Sequence, residues 1–363
     1  MSTRKDMEHM SALIQDVIHL VQFGSEGRSR DVKALARRMS QKYKDEIPEL
    51  AERLALLAVR NGALRAAGRP LPVDADSRMA LARVIEPALA REPILDEITR
   101  TRVSQLVSEH RDPSQLRLAG LSPTKSALLV GPPGVGKTMT AHWIAGQLGL
   151  PLVVLDLATA ISSFLGKSGQ NVRQLFDFCK EFDCVLLLDE VDAIAKRRAD
   201  ETDLGELKRL VNVLLQELDE WPEGSLVLAA TNHPDLLDPA IWRRFESVLE
   251  FTLPSGSERQ ALLMQQGIGE AGLLTVLTQA MAGMSQADIV RQIRSSKRFS
   301  VLAGVPEADG LLESCAEVIR RFPQAERHII SERMVAAGVS QRRASELTGT
   351  SRNTLRKRAK STP

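Results

Sequence analysis

The sequence predicts an α/β fold, a parallel sheet of five strands with helices on both faces, followed by a segment that is entirely helical. Three observations lead there. Five short apolar runs, SALLV (126–130), LVVLDL (152–157), CVLLLD (184–189), SLVLAAT (225–231) and SVLEF (247–251), are separated by stretches of helical spacing at 137–148, 171–182 and 204–219. Strand–helix alternation of this kind belongs to a parallel sheet, whose neighbours need a crossover to connect them. After Pro254 the strand-like runs stop, and residues 256–322 read as helix. Aromatic residues make up only 4% of the chain, which favours a helix-rich fold over an all-β one.

The remaining elements follow in chain order. Residues 1–60 read as a small three-helix unit. Leu13, Ile14, Val17, Leu20 and Val21 form a first helical face, which Gly24 and Gly27 break. Val32, Leu35, Ala36 and Met39 form a second face, and Leu50, Leu54, Leu57 and Ala58 a third. Residues 61–77 carry two Gly and two Pro with little periodicity and read as a linker. The α/β domain then spans 78–255, the helical segment 256–322 and a basic tail 323–363. A chain of 363 residues, 43% hydrophobic and 26% charged, is ordinary globular material and excludes wholesale disorder. No apolar run approaches the ~18 residues of a membrane helix, and the first residues lack the apolar core of a signal peptide. The three cysteines are scattered and give neither a disulfide framework nor a zinc site. A cytoplasmic protein with no membrane partner is the expectation. The formal charge of +2 is uneven: residues 341–363 hold seven basic side chains and one acid, leaving the rest of the chain at −4. A basic tail on a mildly acidic body points to a polyanion or to a solvated tail.

Residues 131–138, GPPGVGKT, lie directly between the strand SALLV and a helical stretch, which is the context a phosphate-binding loop requires. Gly131, Gly134 and Gly136 let the backbone turn tightly around Pro132, Pro133 and Val135 and aim its N–H groups at phosphate oxygens. The helix N-terminus, which continues into Met139, adds its dipole. Lys137 is expected to reach the β- and γ-phosphates of ATP, and Thr138 to ligate Mg²⁺. Residues 184–190, CVLLLDE, place Asp189 and Glu190 at the carboxyl end of a buried strand, where sheets of this type bind ligands. Asp189 is expected to hold Mg²⁺, and Glu190 to orient and deprotonate the attacking water.

With these motifs in order, residues 80 to 300 resemble the AAA+ ATPases, and more closely the AAA subfamily of hexameric remodelling motors. SSFLGKSGQNVRQLF (162–176) is similar to that subfamily's pore-loop segment, and GELKRLVNVLLQELD (205–219) to the helix between its acidic strand and the next strand. LAATNHPDLLDPAIWRRFE (228–246) resembles the sensor and arginine-finger region, and GMSQADIVRQI (283–293) the start of a lid helix. The resemblance implies a P-loop core with a helical lid, ATP and Mg²⁺ as cofactors, and a homohexameric ring. It makes Asn232 the first sensor. Arg243 or Arg244 becomes an arginine finger that acts in trans; the subfamily separates two arginines by Pro-Gly, so adjacency leaves open which one it is. Phe164, Leu165 and Gly166 match the loop that grips a polypeptide, although Lys167 stands where an acid is common. Lys196, Arg197 and Arg198 line the same pore or form a solvated basic run. A second-sensor arginine is missing from its expected place, as is usual in the subfamily.

The tail reads as three short helices. Ile329, Ile330, Met334 and Val335 mark the first, stopped at Gly338; the second covers about 340–348; Gly349 and Thr350 turn the chain, and Ser351 caps the third. GTSRNTLRKRAK is similar to the recognition-helix end of Fis-type helix-turn-helix domains. That similarity packs Leu355 inward and turns Arg352, Asn353, Thr354 and Arg356 toward the major groove of double-stranded DNA or its phosphates, with Arg342, Lys357, Arg358 and Lys360 on its backbone. Thr348 departs from the pattern, which has an apolar residue there. Two functions are thus expected: a motor that remodels or translocates a protein and is recruited to DNA by residues 324–360, or a regulatory or phage-defence ATPase whose ring assembles on DNA without threading a polypeptide. Deleting 324–363 is expected to abolish DNA binding and spare ATPase. No protease triad or zinc signature accompanies these motifs.

Overall fold

The computed structural model of the chain describes residues 80–87, 90–157, 168–193, 204–336 and 338–359 without a break, together with scattered positions between 13 and 73. A three-residue strand β1 (Arg83–Ile85) leads into α1 (Glu97–Arg111) and the short α2 (Ser114–Leu118). Strands and helices then alternate: β2 (Ser126–Val130), α3 (Lys137–Leu148), β3 (Leu152–Asp156), α4 (Ser168–Lys180), β4 (Val185–Asp189), α5 (Leu204–Asp219), β5 (Leu226–Thr231), α6 (Pro239–Trp242) and β6 (Ser247–Glu250). The sheet has six strands in the order β1-β3-β4-β5-β2-β6. Five of them run parallel, and β1 closes one edge antiparallel to β3 by pairing Val84 with Val153. The expectation of five strands is corrected by this edge: RVI is too short to show a period of two.

Why the strands read as unbroken apolar runs is visible in their packing. Alternate residues feed two separate cores. Leu128, Val130, Val153, Leu155, Leu186, Leu188, Val227 and Ala229 face Leu175 and Phe176 of α4, Leu210 and Leu214 of α5, and Trp221. Their neighbours Leu129, Leu152, Val154, Val185, Leu187, Leu226 and Leu228 face Val103 and Leu106 of α1 and Ala141 and Ile144 of α3. Both faces are therefore dry. Each fully buried aliphatic side chain contributes about 1.5–3 kcal/mol relative to exposure. The edge of α1 is set locally: Asp96 caps it by accepting from the Thr99 N–H at 2.9 Å. β2 and β5 are neighbours whose outgoing connections run in opposite directions along the sheet, from β2 toward β3 and from β5 toward β6, so a crevice opens at their carboxyl ends.

The second half is helical: α7 (Gly256–Gln265), α8 (Ala271–Ala280), α9 (Gln286–Ala303), α10 (Glu307–Arg321), α11 (Gln324–Ala336), α12 (Gln341–Thr348) and α13 (Arg352–Ala359). Ser255 and Glu258 close a capping box on α7, and Ser285 caps α9. One apolar core runs through all seven helices. It joins Leu263, Leu277, Ile293 and Ile319 to Ile330, Met334, Leu347 and Leu355. Packing continues across Pro323. Arg320 donates to the Glu346 carbonyl at 2.7 Å, Arg333 to Gln279 Oε1 at 3.0 Å, and Arg343 pairs with Glu313. Thr348, the residue out of pattern, is fully buried; its hydroxyl donates to the Ala344 carbonyl at 2.7 Å and accepts from the Thr350 N–H at 3.2 Å. A polar side chain is accommodated there because both capacities of its oxygen are used.

Among the described N-terminal positions, Ala36, Met39, Tyr43 and Leu54 form a small core with Leu13, Leu20, Leu35 and Leu50 against it. Val17 and Val21 are exposed, which corrects their placement on the inner face of the first helix. The inner side of that helix instead carries Asp16, which accepts from Lys42 Nζ at 2.7 Å and from the Tyr43 hydroxyl at 2.8 Å. Ile14, Val32, Leu57 and Ala58 lie outside the described residues.

Candidate nucleotide site

The loop 131–136 bridges β2 and α3, and its shape is fixed by close approach on both sides. Gly131 has φ 153°, and a Cβ there would stand 2.1 Å from the Phe251 carbonyl oxygen. Gly134 has φ 77°, and a Cβ there would stand 2.6 Å from Ser285 Oγ at the start of α9. No side chain fits at either place. The Gly134 carbonyl also accepts from the Ala287 N–H at 2.9 Å, so the loop is fastened to the helical half by its own backbone. Val135 turns into the core beneath, while Pro133, Gly136, Thr138 and Met139 line a cleft.

Lys137 is buried and its ammonium donates three bonds, to the Gly131 carbonyl at 2.6 Å, the Pro132 carbonyl at 2.9 Å and Asn232 Oδ1 at 2.8 Å. Burial pushes its pKa below the ordinary lysine value, opposed by Asp189 and Asp192. Thr138 Oγ1 donates to Asp189 Oδ2 at 3.2 Å. Glu190 has φ 55°, the one non-glycine residue among the described residues with left-handed backbone, and its N–H donates to Asp189 Oδ1 at 3.0 Å. Strained backbone of this sort persists where its surroundings hold it, and it turns the Glu190 side chain out of the strand direction into the cleft.

Asp192 is a residue to which the sequence reading assigned no role. Buried beneath the ends of β4 and β5, it accepts from Thr231 Oγ1 at 3.0 Å and from the Asn232 N–H at 3.3 Å. It thereby sets the backbone from which Asn232 reaches Lys137. Its signal was present, the second aspartate of DEVDAI, but only the strand pairing brings it under Asn232.

The cleft measures about 820 Å³. Its floor is the loop, one wall is Asp189, Glu190 and Asn232, and the facing wall is α9 with Gln286, Ala287, Val290, Arg291, Arg294 and Arg298. Those three arginines, spaced i, i+3 and i+7, share one helical face. They were not singled out from the sequence.

Other candidates lie elsewhere. Arg243 and Arg244 are exposed at the end of α6 and do not line the cleft. Arg244 pairs with Asp219 at 3.2 Å, whereas Arg243 has no ion pair or hydrogen-bonded side chain among the described residues. Phe164, Leu165 and Gly166, and Lys196, Arg197 and Arg198, lie outside the described residues. In the tail, Arg352 and Asn353 are exposed, Thr354 is half-buried and Leu355 is buried. Ser351 Oγ accepts from the Thr354 N–H at 3.1 Å and so caps α13. Arg342 pairs with Glu346 at 3.0 Å. The side chains of Arg356, Lys357 and Arg358, and all of Lys360, are outside the described set. No helix of the described residues is long and apolar enough to cross a membrane. Nor do three or more of their His, Cys, Asp and Glu side chains gather as a metal site.

Comparison with known proteins gives this geometry its relatives. Residues 127–253 match the family model "ATPase family associated with various cellular activities (AAA)". Over 239 residues the chain is 36% identical to an uncharacterized AAA family ATPase, y4kL, of Sinorhizobium fredii, covering 64% of this chain and 72% of that protein. It is 33% identical over 217 residues to the ATP-dependent zinc metalloprotease FtsH of Acidothermus cellulolyticus, covering 56% of this chain and only 33% of that one. It is 38% identical over 179 residues to the mouse nuclear valosin-containing protein-like, of which it spans 20%. Among solved structures, the FIGL-1 AAA domain in complex with ADP superposes with a TM-score of 0.53 at 22% identity, covering 68% of this chain and 89% of that domain, a likeness of fold.

Proposed function

The chain belongs to the AAA family of ATPases and hydrolyses ATP, and from that premise we propose that Mg-ATP turnover in a ring of identical subunits, a hexamer by family likeness, powers the remodelling or translocation of a protein. The observation that carries the site assignment is the convergence on one loop of Lys137, Thr138, Asp189, Glu190 and Asn232.

In this reading the N–H groups of residues 134–139 and the N-terminus of α3 hold the phosphates, and the Lys137 ammonium, already aimed across the loop, exchanges carbonyl partners for phosphate oxygens. A hydroxyl and a carboxylate 3.2 Å apart form a hard-oxygen donor pair that suits Mg²⁺. Thr138 and Asp189 would hold the ion, which supplies charge neutralisation at the β- and γ-phosphates. Glu190 accepts a proton from the water that attacks the γ-phosphate, and Asn232, held by Asp192, positions that water. The finger comes from a neighbouring subunit. Arg243 is the better donor, because Arg244 already serves Asp219. Phe164, Leu165 and Gly166 grip the polypeptide.

The tail supports recruitment to double-stranded DNA, since Arg352 and Asn353 stand exposed beside the buried Leu355. The same residues support the second reading, an ATP-regulated DNA-binding ring that threads nothing.

Glu190→Gln tests the core assignment. The variant is expected to bind ATP with near-normal affinity and to lose turnover. Full turnover would remove Glu190 from the mechanism. Phe164→Ala tests the motor reading: loss of work on a protein substrate with basal ATPase retained supports it, and unchanged work removes Phe164 from the grip on the polypeptide.

A further inference from the structure

The cleft carries more positive charge along α9 than ATP accounts for. Helix α9 begins at the phosphate loop, where the Ala287 N–H meets the Gly134 carbonyl at 2.9 Å. Its second half reaches the end of α7, where Lys297 Nζ donates to the Gln266 carbonyl at 3.1 Å. From Ala287 to Arg298 is eleven residues, about 16 Å of helix, which matches the extended length of a nucleoside triphosphate. A nucleotide with its phosphates on the loop therefore lays its nucleoside toward Gln265, Gln266 and the later turns of α9.

That nucleoside end is lined by Arg91, Arg294 and Arg298. Arg291, one turn earlier, is neutralised by Asp288 at 2.7 Å. Arg294 and Arg298 have no ion pair among the described residues, and Arg91 makes a single long bond, to the Gln265 carbonyl at 3.4 Å. The acids that line the cleft, Asp189 and Glu190, both stand at the opposite end. Adenosine is uncharged. One guanidinium stacks on a base, and the exposed Arg91, Arg294 and Arg298, which line this end together, leave positive charge that an anionic group would match.

We propose that the nucleoside end of the cleft is a phosphate subsite that selects adenine nucleotides phosphorylated on the ribose as well as at the 5′ position. The inference rests on the assignment of the cleft to ATP. The ribose phosphate accepts from Arg294 and Arg298, with Arg91 completing the charge. Such a ligand competes with ATP for the loop and ties α9 to it more firmly, so it acts as a brake on turnover.

The test is calorimetric titration of the full chain with ADP, 2′-phospho-ADP and 3′-phospho-ADP. At least one ribose-phosphorylated nucleotide is expected to bind about tenfold more tightly than ADP at about 50 mM salt, with the gap closing as salt screens the contact. In the double variant Arg294→Ala/Arg298→Ala the ratio falls to about one, as expected from losing two charge-assisted contacts. ADP binding with all three nucleotides within twofold of each other overturns the subsite and leaves the ATP site standing. Failure of ADP itself to bind overturns the ATP assignment instead. A double variant that alters ring assembly while keeping the tenfold ratio assigns the arginines to a subunit contact and also overturns the proposal.

Discussion

Arg243 and Arg244 are adjacent in sequence and differ in company, and that difference decides what each loses on truncation. Arg244 is held by Asp219 and its backbone carbonyl accepts from Ser126 Oγ at 3.1 Å, so it ties α6 to β2 and α5 within its own subunit. Arg243→Ala is expected to lower kcat by on the order of 10³ with the monomer's melting temperature unchanged, the effect of losing a charge that acts only on the transition state. Arg244→Ala is expected to lower kcat far less and to shift the melting temperature. Steady-state ATPase and thermal unfolding of both variants check the assignment, and the reverse pattern would transfer the role to Arg244. At Asp192, two donors lose their acceptor in Asp192→Ala. About 1–3 kcal/mol of stability goes with them, and Asn232 loses its anchor, so turnover falls although no cleft residue has changed. The thiols are inert by the same local logic. Burial pushes Cys315 up to about 11, and Cys179 and Cys184 are likewise buried. At pH 8 roughly one Cys315 in a thousand is thiolate. Native protein is expected to resist iodoacetamide at all three positions and to react at all three in denaturant, as mass spectrometry would count.

Elements were legible in the sequence to the degree that burial is symmetric about them. β2, β4 and β5 are covered on both faces, so they appear as runs such as LLL and need no alternation to be found. The residues 83–85 make an edge because β3 offers one, a tertiary reason that three residues cannot encode. α1 escaped for a related cause: its inward residues Thr99, Val103, Leu106 and Val107 include a threonine whose hydroxyl serves the Glu250 carbonyl at 2.7 Å. In the first helix Val17 and Val21 look like core, yet Asp16 takes the inward place because Lys42 and Tyr43 receive it. The loop residues of the nucleotide site were readable from spacing alone, whereas Arg91, Arg294 and Arg298 meet only through folding. Thr348 belongs to this scale as well. The helix-turn-helix pattern has an apolar residue at this place, but Thr348→Val strips the Thr350 N–H of its acceptor in a buried turn. About 1 kcal/mol of destabilisation is expected, seen as a lower urea midpoint with an unchanged slope. A gain in stability would mean the turn repairs itself.

At the scale of the whole chain, the tail's place in the lid core changes how DNA binding has to be tested. Deletion of 324–363 was expected to remove one function and spare the other. Ile330, Met334, Leu347 and Leu355 are buried in the same core as Leu277, Ile293 and Ile319, so the deletion opens that core to water. Four such side chains at about 1.5–3 kcal/mol each amount to much of the roughly 5–15 kcal/mol that holds a domain folded. The helices that lose their cover include α9, whose first residues fasten the phosphate loop through Ala287 and crowd Gly134 through Ser285. The truncated chain is therefore expected to unfold its helical half at lower temperature and to bind nucleotide weakly, so a loss of DNA binding in it carries no information about the tail. Arg352→Ala with Asn353→Ala touches only exposed side chains and leaves Leu355 in place. This double variant is expected to keep its melting temperature and ATPase, to lose DNA affinity several-fold, and to show a shallower dependence on salt by about one counterion, as removal of one phosphate contact requires. Unchanged affinity and an unchanged slope would leave the three last helices as the closing face of the lid and nothing more. Their conserved temperature of unfolding in that case would be set by the core alone.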